Sequence, residues 1–438
     1  MKYSFRGAAV MMAVMAVCGL QACSSGGRDG KKLHRISADA YYSRDSLGVV
    51  YDSTHVSKSP ALSAAIASAS DGDTIVLTAG LYIADPQPFV DPLCGNCTDP
   101  KTSAAASTGF VIKDKSLVII GAGKDSTALV TRAGYGLYIE NAPEVHLSDL
   151  AITGGRRDKD GNATDAAVVV RGSRVHLDRC ALAGNTHRAV IEKTPPETLI
   201  VGIGGLFGRE GAEIFVSHSE IINNGWDGIA LYRGASAVVT DCVIKKGRGA
   251  GIGVTWDATC VALRNDISGY WKGIGAFGTS QVVAHNNLVY DNLGWGIIGT
   301  GQSFLDAANN VVYHNGNCGV APWSPECRGR FVNNIIIDNG WREEWVCPCV
   351  GVWNYGTLAN WQFFNNLVWN NKEGNYRDMA DLTGRGGNIS ADPLFVGGGD
   401  FHLKPGSPAI DAGYGEITDH DGSPSDLGLY GGTSARRK

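Results

Sequence analysis

Three short apolar runs, each closed by Gly, Asn or Ser, recur through the middle of the chain. Ile229 to Tyr232, Ala237 to Thr240 and Val243 to Lys245 make one such set. A Gly-apolar pair marks each period, at Gly228-Ile229, Gly251-Ile252, Gly273-Ile274, Gly296-Ile297 and Gly319-Val320, with spacings of 23, 22, 23 and 23 residues. About ten residues after each pair stands Asp241, Asn265, Asn286, Asn309 or Asn333, usually followed by a second apolar run such as Leu288-Val289-Tyr290. Runs of three to five residues between turn formers predict strands, and helical periodicity is absent there.

Three strands in about 22 residues cannot bury their apolar faces alone, whereas periods stacked at roughly 4.8 Å make parallel sheets around one continuous core. The pattern therefore predicts an all-β, right-handed parallel β-helix with three strands per coil. Asparagine suits the corner between the second and third strands because it tolerates left-handed backbone angles and can bond to the same residue one coil away. Asn286, Asn309 and Asn333 are accordingly expected to be structural. Less regular coils precede these, at Val145 to Asp149 and Val175 to Arg179, and Asp73 to Leu77 opens the first coil. Leu62 to Ala69 reads as a short amphipathic helix that caps the open end of the core.

The first residues carry a different pattern. Lys2 and Arg6 are followed by an apolar stretch, Ala8 to Leu20, too short to span a bilayer, and then by Leu20-Gln21-Ala22-Cys23. This resembles a bacterial lipobox, which implies cleavage before Cys23 and a lipid on its thiol. The expected organisation is a signal peptide over 1–22, a tether over 23–35, an N-terminal cap over 36–72, coils over 73–395 and a C-terminal cap and tail over 396–438. The resemblance implies an exported protein anchored to the outer membrane or cell surface rather than the inner membrane.

Composition narrows the picture further. The 438 residues include 59 Gly without a Gly-X-Y period, which excludes collagen, and 44% apolar residues suffice for a large core. Net charge is −5, and removing Lys2 and Arg6 leaves 36 basic against 43 acidic residues, near −7. That balance argues against nucleic acid as a partner, and a monomer is expected. Of 11 cysteines, Cys18 leaves with the signal and Cys23 is lipidated, so 9 remain in an oxidising compartment. Cys94-x-x-Cys97 and Cys347-Pro-Cys349 read as disulfides in preference to zinc half-sites.

The ladders, over roughly residues 70 to 395, resemble the pectate-lyase-like right-handed β-helix superfamily of exported bacterial proteins. The tail from Asp392-Pro393-Leu394-Phe395 to Pro408-Ala409-Ile410-Asp411 is similar to a C-terminal segment of such proteins, implying the last coil and its closure. The resemblance implies a polysaccharide ligand, with β-elimination or glycoside hydrolysis as reactions. Polygalacturonase signatures (Asn-Thr-Asp, Asp-Asp, Gly-His-Gly), the Arg-x-Pro-x-x-Arg of extracellular pectate lyases and the Asp-Pro-His-Asp of mannuronan epimerases are missing from the chain.

In this superfamily the substrate lies along the first strand of each coil. Alternation turns Glu140, Arg171, Tyr232, Thr255, Phe277, Thr300 and Trp323 outward there, and the turns add Trp226, Trp271 and Trp295. Aromatic faces stack on sugars, so these suit a glycan groove, although they can equally stabilise turns. An insertion from Thr194 to about Glu213 interrupts the period beside His187-Arg188 and Glu192-Lys193. Interruptions of this kind often bind ligands. β-Elimination needs a base, an acid and a cation facing the carboxylate, for which Lys193, Arg188, His187, Arg233 and Tyr232 are candidates, with Lys193 as base and Tyr232 as acid. Hydrolysis needs two carboxyls at about 5.5 Å or roughly 6.5–9.5 Å, for which Asp227 and Asp257 are candidates. Calcium is a candidate cofactor through Asp158, Asp160 and Asp165, whose oxygens alternate around Gly161. A glycan-binding protein without catalysis is the third reading.

Overall fold

The computed structural model describes residues 31–38, 61–188, 192–194, 198–200, 202–342, 347–355 and 360–436; for residues 188–201 nothing beyond the backbone is described. Residues 1–30, with the lipobox and Cys23, lie outside the described residues. The chain is a right-handed parallel β-helix built of three large sheets, with 12, 11 and 12 strands among the described residues. The first sheet runs from Leu33–Ile36 to Trp361–Phe364, the second from Gly80–Ile83 to Leu367–Trp369, and the third from Gln87–Asp91 to Tyr376–Arg377. Each coil visits the third, first and second sheets in turn, as Ile229–Leu231, Ser236–Thr240 and Val243–Lys245 show.

Inward side chains stack without slippage: Ile229, Ile252, Ile274, Ile297 and Val320 are consecutive register partners, all fully buried. The glycine before each has a steric reason. A Cβ on Gly273 would lie 2.3 Å from Val289 Cγ1 and 2.6 Å from the Gly296 carbonyl oxygen, so the corner can pass over the core only without a side chain. The expected cap is helix Ala61–Ser68, whose Leu62, Ala65 and Ile66 join the core. Lys115 donates to the carbonyls of Ile66, Ala67 and Ala69 at its C-terminal end, at 3.0, 3.2 and 2.8 Å. Leu33–Ile36, within the expected tether and cap, pairs in parallel with Thr74 to Leu77 as an edge strand.

The asparagine ladder is in its expected place at Asn265 and displaced by one residue at Asn286, Asn309 and Asn333. Asn286, Asn309 and Asn333 adopt φ of +55°, +52° and +57°, the left-handed corner anticipated for them. The stacked amides are those of the next residues. Asn265, Asn287, Asn310, Asn334 and Asn366 each donate to the Oδ1 of the next member of a series that ends at Asn388, at 2.9–3.1 Å. A second ladder, Asn292, Asn315, Asn339 and Asn371, does the same at the next corner.

Three further expectations are corrected. The insertion is narrower than Thr194 to Glu213, because Gly204–Arg209 is a regular strand of the third sheet in register with Ala166–Arg171. What departs from the coil is an antiparallel hairpin of Glu192–Thr194 and Thr198–Ile200. The tail does not only close the last coil. It runs back along the second sheet, placing Ala409, Leu427 and Leu429 on Leu288, Val311, Ile335 and Leu367. Cys94 and Cys97 form a disulfide, but Cys347 and Cys349 do not pair and, among the described residues, join five other buried thiols.

Candidate functional site

The outer face of the third sheet has a stretch of small residues at its middle. Outward positions in register read Val169, Phe207, Ala230, Gly253, Gly275, Ile298 and Ala321. Three residues earlier in each strand, Ala250 pairs with Lys272, which pairs with Trp295. Asp227 occupies the equivalent place one coil before Ala250, whose backbone N–H donates to Asp227 Oδ1. Asp227 and Lys272 thus stand on either side of Ala250, two coils apart. The Lys272 ammonium lies 5.7 Å from the Phe277 ring centre and 5.6 Å from that of Trp295.

Burial pushes both groups toward their neutral forms. It raises the Asp227 carboxyl to about 6, against the opposing pull of the Ala250 N–H and the Lys272 charge. It lowers Lys272 below the ordinary lysine range, opposed by the Asp227 charge. A carboxyl and an amine that together hold one proton near neutral pH can take a proton at one point and return one at another.

Most residues expected to do the chemistry sit elsewhere. Arg171 and Tyr232 face outward as alternation predicts, but the antiparallel strand pair Gln87–Asp91 and Ala104–Lys113, with its disulfide loop, packs over this end of the sheet. Tyr232 is 5% exposed, and burial drives its phenol well above the ordinary range, so it is a poor proton donor. Arg233 donates to Glu210 Oε1 at 2.9 Å and to the carbonyls of Cys94 and Gly95, clamping the disulfide loop. Arg171 lies 3.3 Å from Glu140, which also pairs with Lys113 at 2.7 Å. At the centre, fully buried Arg209 meets Asp91 and Glu210 and donates to Thr164 Oγ1 at 2.7 Å. These charges hold the covering strands to the sheet.

Asp227 and Asp257 do not form the expected carboxyl pair. Asp257 follows strand Ala250–Val254 at its far end, beyond about 16 Å of strand. Its Oδ1 accepts the Gly234 N–H at 2.8 Å. It lines a cavity of about 470 Å³ with Arg233, Trp256 and Cys97, where Trp256 has φ of +62°, a strained value for an aromatic residue. His187 borders a second cavity, of about 380 Å³, with Arg132 and Arg156. Among the described residues, neither of those guanidinium groups has a carboxylate partner. The side chains of Arg188 and Lys193 lie outside the described residues.

The tryptophans form a continuous row, with ring centres 6.2 Å apart for Trp271 and Trp295, 5.2 Å for Trp295 and Trp323, and 5.1 Å for Trp323 and Trp353. Trp295 is 3% exposed, which withdraws it from sugar stacking and leaves half-buried Trp271 and Trp323 available. Arg342 lies over Trp271 at 4.8 Å, and half-buried Trp226 packs beside the Phe207 and Tyr232 cluster.

Of the three carboxylates proposed for calcium, Asp158 and Asp165 adjoin, but Asp160 does not join them at one point. Asp158 accepts the Ser107 N–H and hydroxyl at 2.8 and 2.7 Å, and Asp160 accepts the Ala105 N–H at 2.8 Å, so both tether the covering strand. Asp165 accepts the Asp158 N–H at 2.9 Å, and burial together with the Asp158 charge raises its carboxyl to about 8. A raised carboxyl costs stability once ionised, so this contribution is lost as pH rises from the ordinary aspartate value through about 8. Asp165→Asn is therefore expected to melt several degrees above the wild type at pH 9 and to match it near pH 4. Thermal unfolding at the two pH values checks this, and a gap independent of pH would count against it.

Arg209 and Arg132 were not singled out from the sequence, Arg156 reads there as part of a solvated loop, and Lys272 reads as a turn residue beside Trp271 with no role in the chemistry. Lys272 had a signal, as a basic residue immediately before a Gly-Ile pair whose repeat equivalents include Asp227 and Trp295. Arg209 was hidden inside the supposed insertion.

Residues 201–372 match the model of the right handed beta helix region, in agreement with the three-sheet architecture. No curated protein matches the chain. Among solved structures the chain is similar to pectate lyase Pel9A, with 16% identity, TM-score 0.46, and coverage of 94% of this chain and 98% of that one. It is similar to the periplasmic alginate epimerase AlgG at 10% identity and TM-score 0.33, covering 70% and 92%. A GH87 alpha-1,3-glucanase from Streptomyces thermodiastaticus follows at 12% identity and TM-score 0.32, covering 81% and 70%.

Proposed function

We propose that this chain is a lipid-anchored polysaccharide lyase that cleaves an acidic, uronate-containing glycan by β-elimination on the outer face of the third sheet. The observation that carries the reading is the Asp227 and Lys272 pair, both held toward neutrality on either side of Ala250. A glycan lying along the solenoid axis would meet the Arg132, Arg156 and His187 cavity first, then this pair, then Trp271 and Trp323. Arg132 and Arg156, which have no carboxylate partner among the described residues, suit its carboxylates. Asp227, ionised above about 6, takes the proton α to the uronate carboxylate, the electron pair forms the new carbon–carbon double bond, the glycosidic C–O bond breaks, and the protonated Lys272 gives its proton to the departing oxygen. The distance between Asp227 and Asp257 speaks against hydrolysis by that pair.

The test uses the purified chain with alginate, pectate, glycosaminoglycans and ulvan, following ultraviolet absorbance and reducing ends together. Elimination raises both because it leaves a conjugated uronate. Reducing ends alone would move the assignment to hydrolysis, and neither signal with retention on glycan affinity gels would leave a binding protein.

Anchoring is proposed on Cys23. Cys23→Ala is expected to release the chain from the membrane fraction or leave its precursor uncleaved, as fractionation and gel mobility report. Wild-type behaviour of the variant would remove the anchor.

A further inference from the structure

The outer face of the first sheet, away from the groove, carries a second constellation. Glu144 stands just before strand Val145–Ser148, and His146 within it is the register partner of His176 on Arg174–Asp178. The two imidazoles stack with centres 4.4 Å apart and planes 10° apart, and Phe215 continues the stack at 4.6 Å. Glu144 Oε1 lies 3.3 Å from His146 Nε2 and 3.5 Å from His176 Nε2. All three donor atoms lie within 4.8 Å of one another.

These separations are long for hydrogen bonds, whose usual N–H···O range is roughly 2.7–3.2 Å. His176 Nε2 is buried without a hydrogen-bond partner. They fit coordination better. Two donors each about 2.1 Å from a tetrahedral ion stand about 3.4 Å apart, which is the separation of the carboxylate oxygen from either nitrogen. Only the two nitrogens need to close together, a change that side-chain torsions of partly exposed histidines can supply. Two imidazoles and one carboxylate suit zinc and its borderline neighbours rather than calcium or magnesium.

We propose that Glu144, His146 and His176 bind one divalent transition ion, with Zn²⁺ the preferred occupant and water completing its shell. The ion joins two successive coils through side chains, in addition to their backbone ladder.

The test is calorimetric titration of the chelator-treated full chain with Zn²⁺, and with Co²⁺ as a visible-absorption probe. The expected result is one equivalent bound, weakened at least tenfold by His146→Gln, by His176→Gln and by Glu144→Gln. The Co²⁺ complex should show tetrahedral d–d bands without thiolate charge transfer, which separates this site from the buried cysteines. Near-ultraviolet circular dichroism confirms that each variant is folded; Glu144 is 48% exposed and its replacement leaves the core untouched. Absence of binding, undiminished affinity in the folded variants, or thiolate bands would each overturn the proposal.

Discussion

Asn310→Leu is expected to cause a larger loss of stability than the same change at neighbouring Asn309. The Asn310 amide donates to the Ala284 carbonyl at 2.7 Å and to Asn334 Oδ1 at 2.9 Å, and its own oxygen accepts the backbone and side-chain N–H groups of Asn287 at 2.9 and 3.1 Å. Leucine fits the volume but takes a bond from the backbone and side-chain N–H groups of Asn287 and from the Ala284 carbonyl, while Asn334 Oδ1 keeps the backbone N–H of residue 310. At about 1–3 kcal/mol for each of these three groups, the loss is on the order of 3–9 kcal/mol. Asn309→Leu forfeits a left-handed corner residue and the bond to the Asp426 carbonyl at 2.9 Å, a loss of about 1–3 kcal/mol. Thermal or denaturant unfolding of the two variants gives the comparison. Equal losses would mean that the amide stack adds nothing beyond corner geometry.

The second large effect is on catalysis. Lys272→Ala and Asp227→Asn are each expected to lower elimination by about 10²–10⁴-fold, the range associated with a general acid or base. Their melting temperatures should stay near that of the wild type, since neither side chain belongs to the solenoid core. The pH profile carries the sign. One proton is shared by the pair above about 6, where Asp227 titrates, and below the lowered lysine value. Activity should rise through about 6 and fall on the alkaline side before the ordinary lysine range. Residual activity in Asp227→Asn should lack the limb near 6. A profile flat through that region in the wild type would remove Asp227 from the mechanism.

The architecture was legible because a solenoid repeats its constraints. Gly273-Ile274 announces itself by recurring at 22 or 23 residues, and the reason is local: one corner, one interior contact, copied. The amide ladder was misplaced by a single residue because Asn-Asn pairs at 286–287, 309–310 and 333–334 offer two asparagines per corner. Only the backbone angle decides which one turns and which one stacks. The site was less legible because the parts of the chain that disguise it are not periodic. Tyr232 and Arg233 were assigned to the correct face, but nothing in their spacing shows that a segment about 140 residues earlier folds over them. Lys272 was passed over because its chemistry depends on the smallness of Ala250, Gly253 and Gly275, which the sequence alone does not connect to a lysine.

The returning tail measures the solenoid. Asn286 donates to Leu429 and Gly431 carbonyls, Asn309 to Asp426 and Asn365 to Ala412, while Asn333 accepts the Tyr414 N–H, so successive coils hold successive marks along one strap. Stacked coils alone set no limit on their own number, since each new turn presents the same edge as the last. Duplicating one 23-residue coil between Asn286 and Asn333 would leave the core continuous and the corners intact. It would shift every mark beyond it by one strand spacing against a strap of fixed length. The C-terminal segment therefore acts as a ruler, and gain or loss of a whole turn in this region has to be matched by a change in the tail.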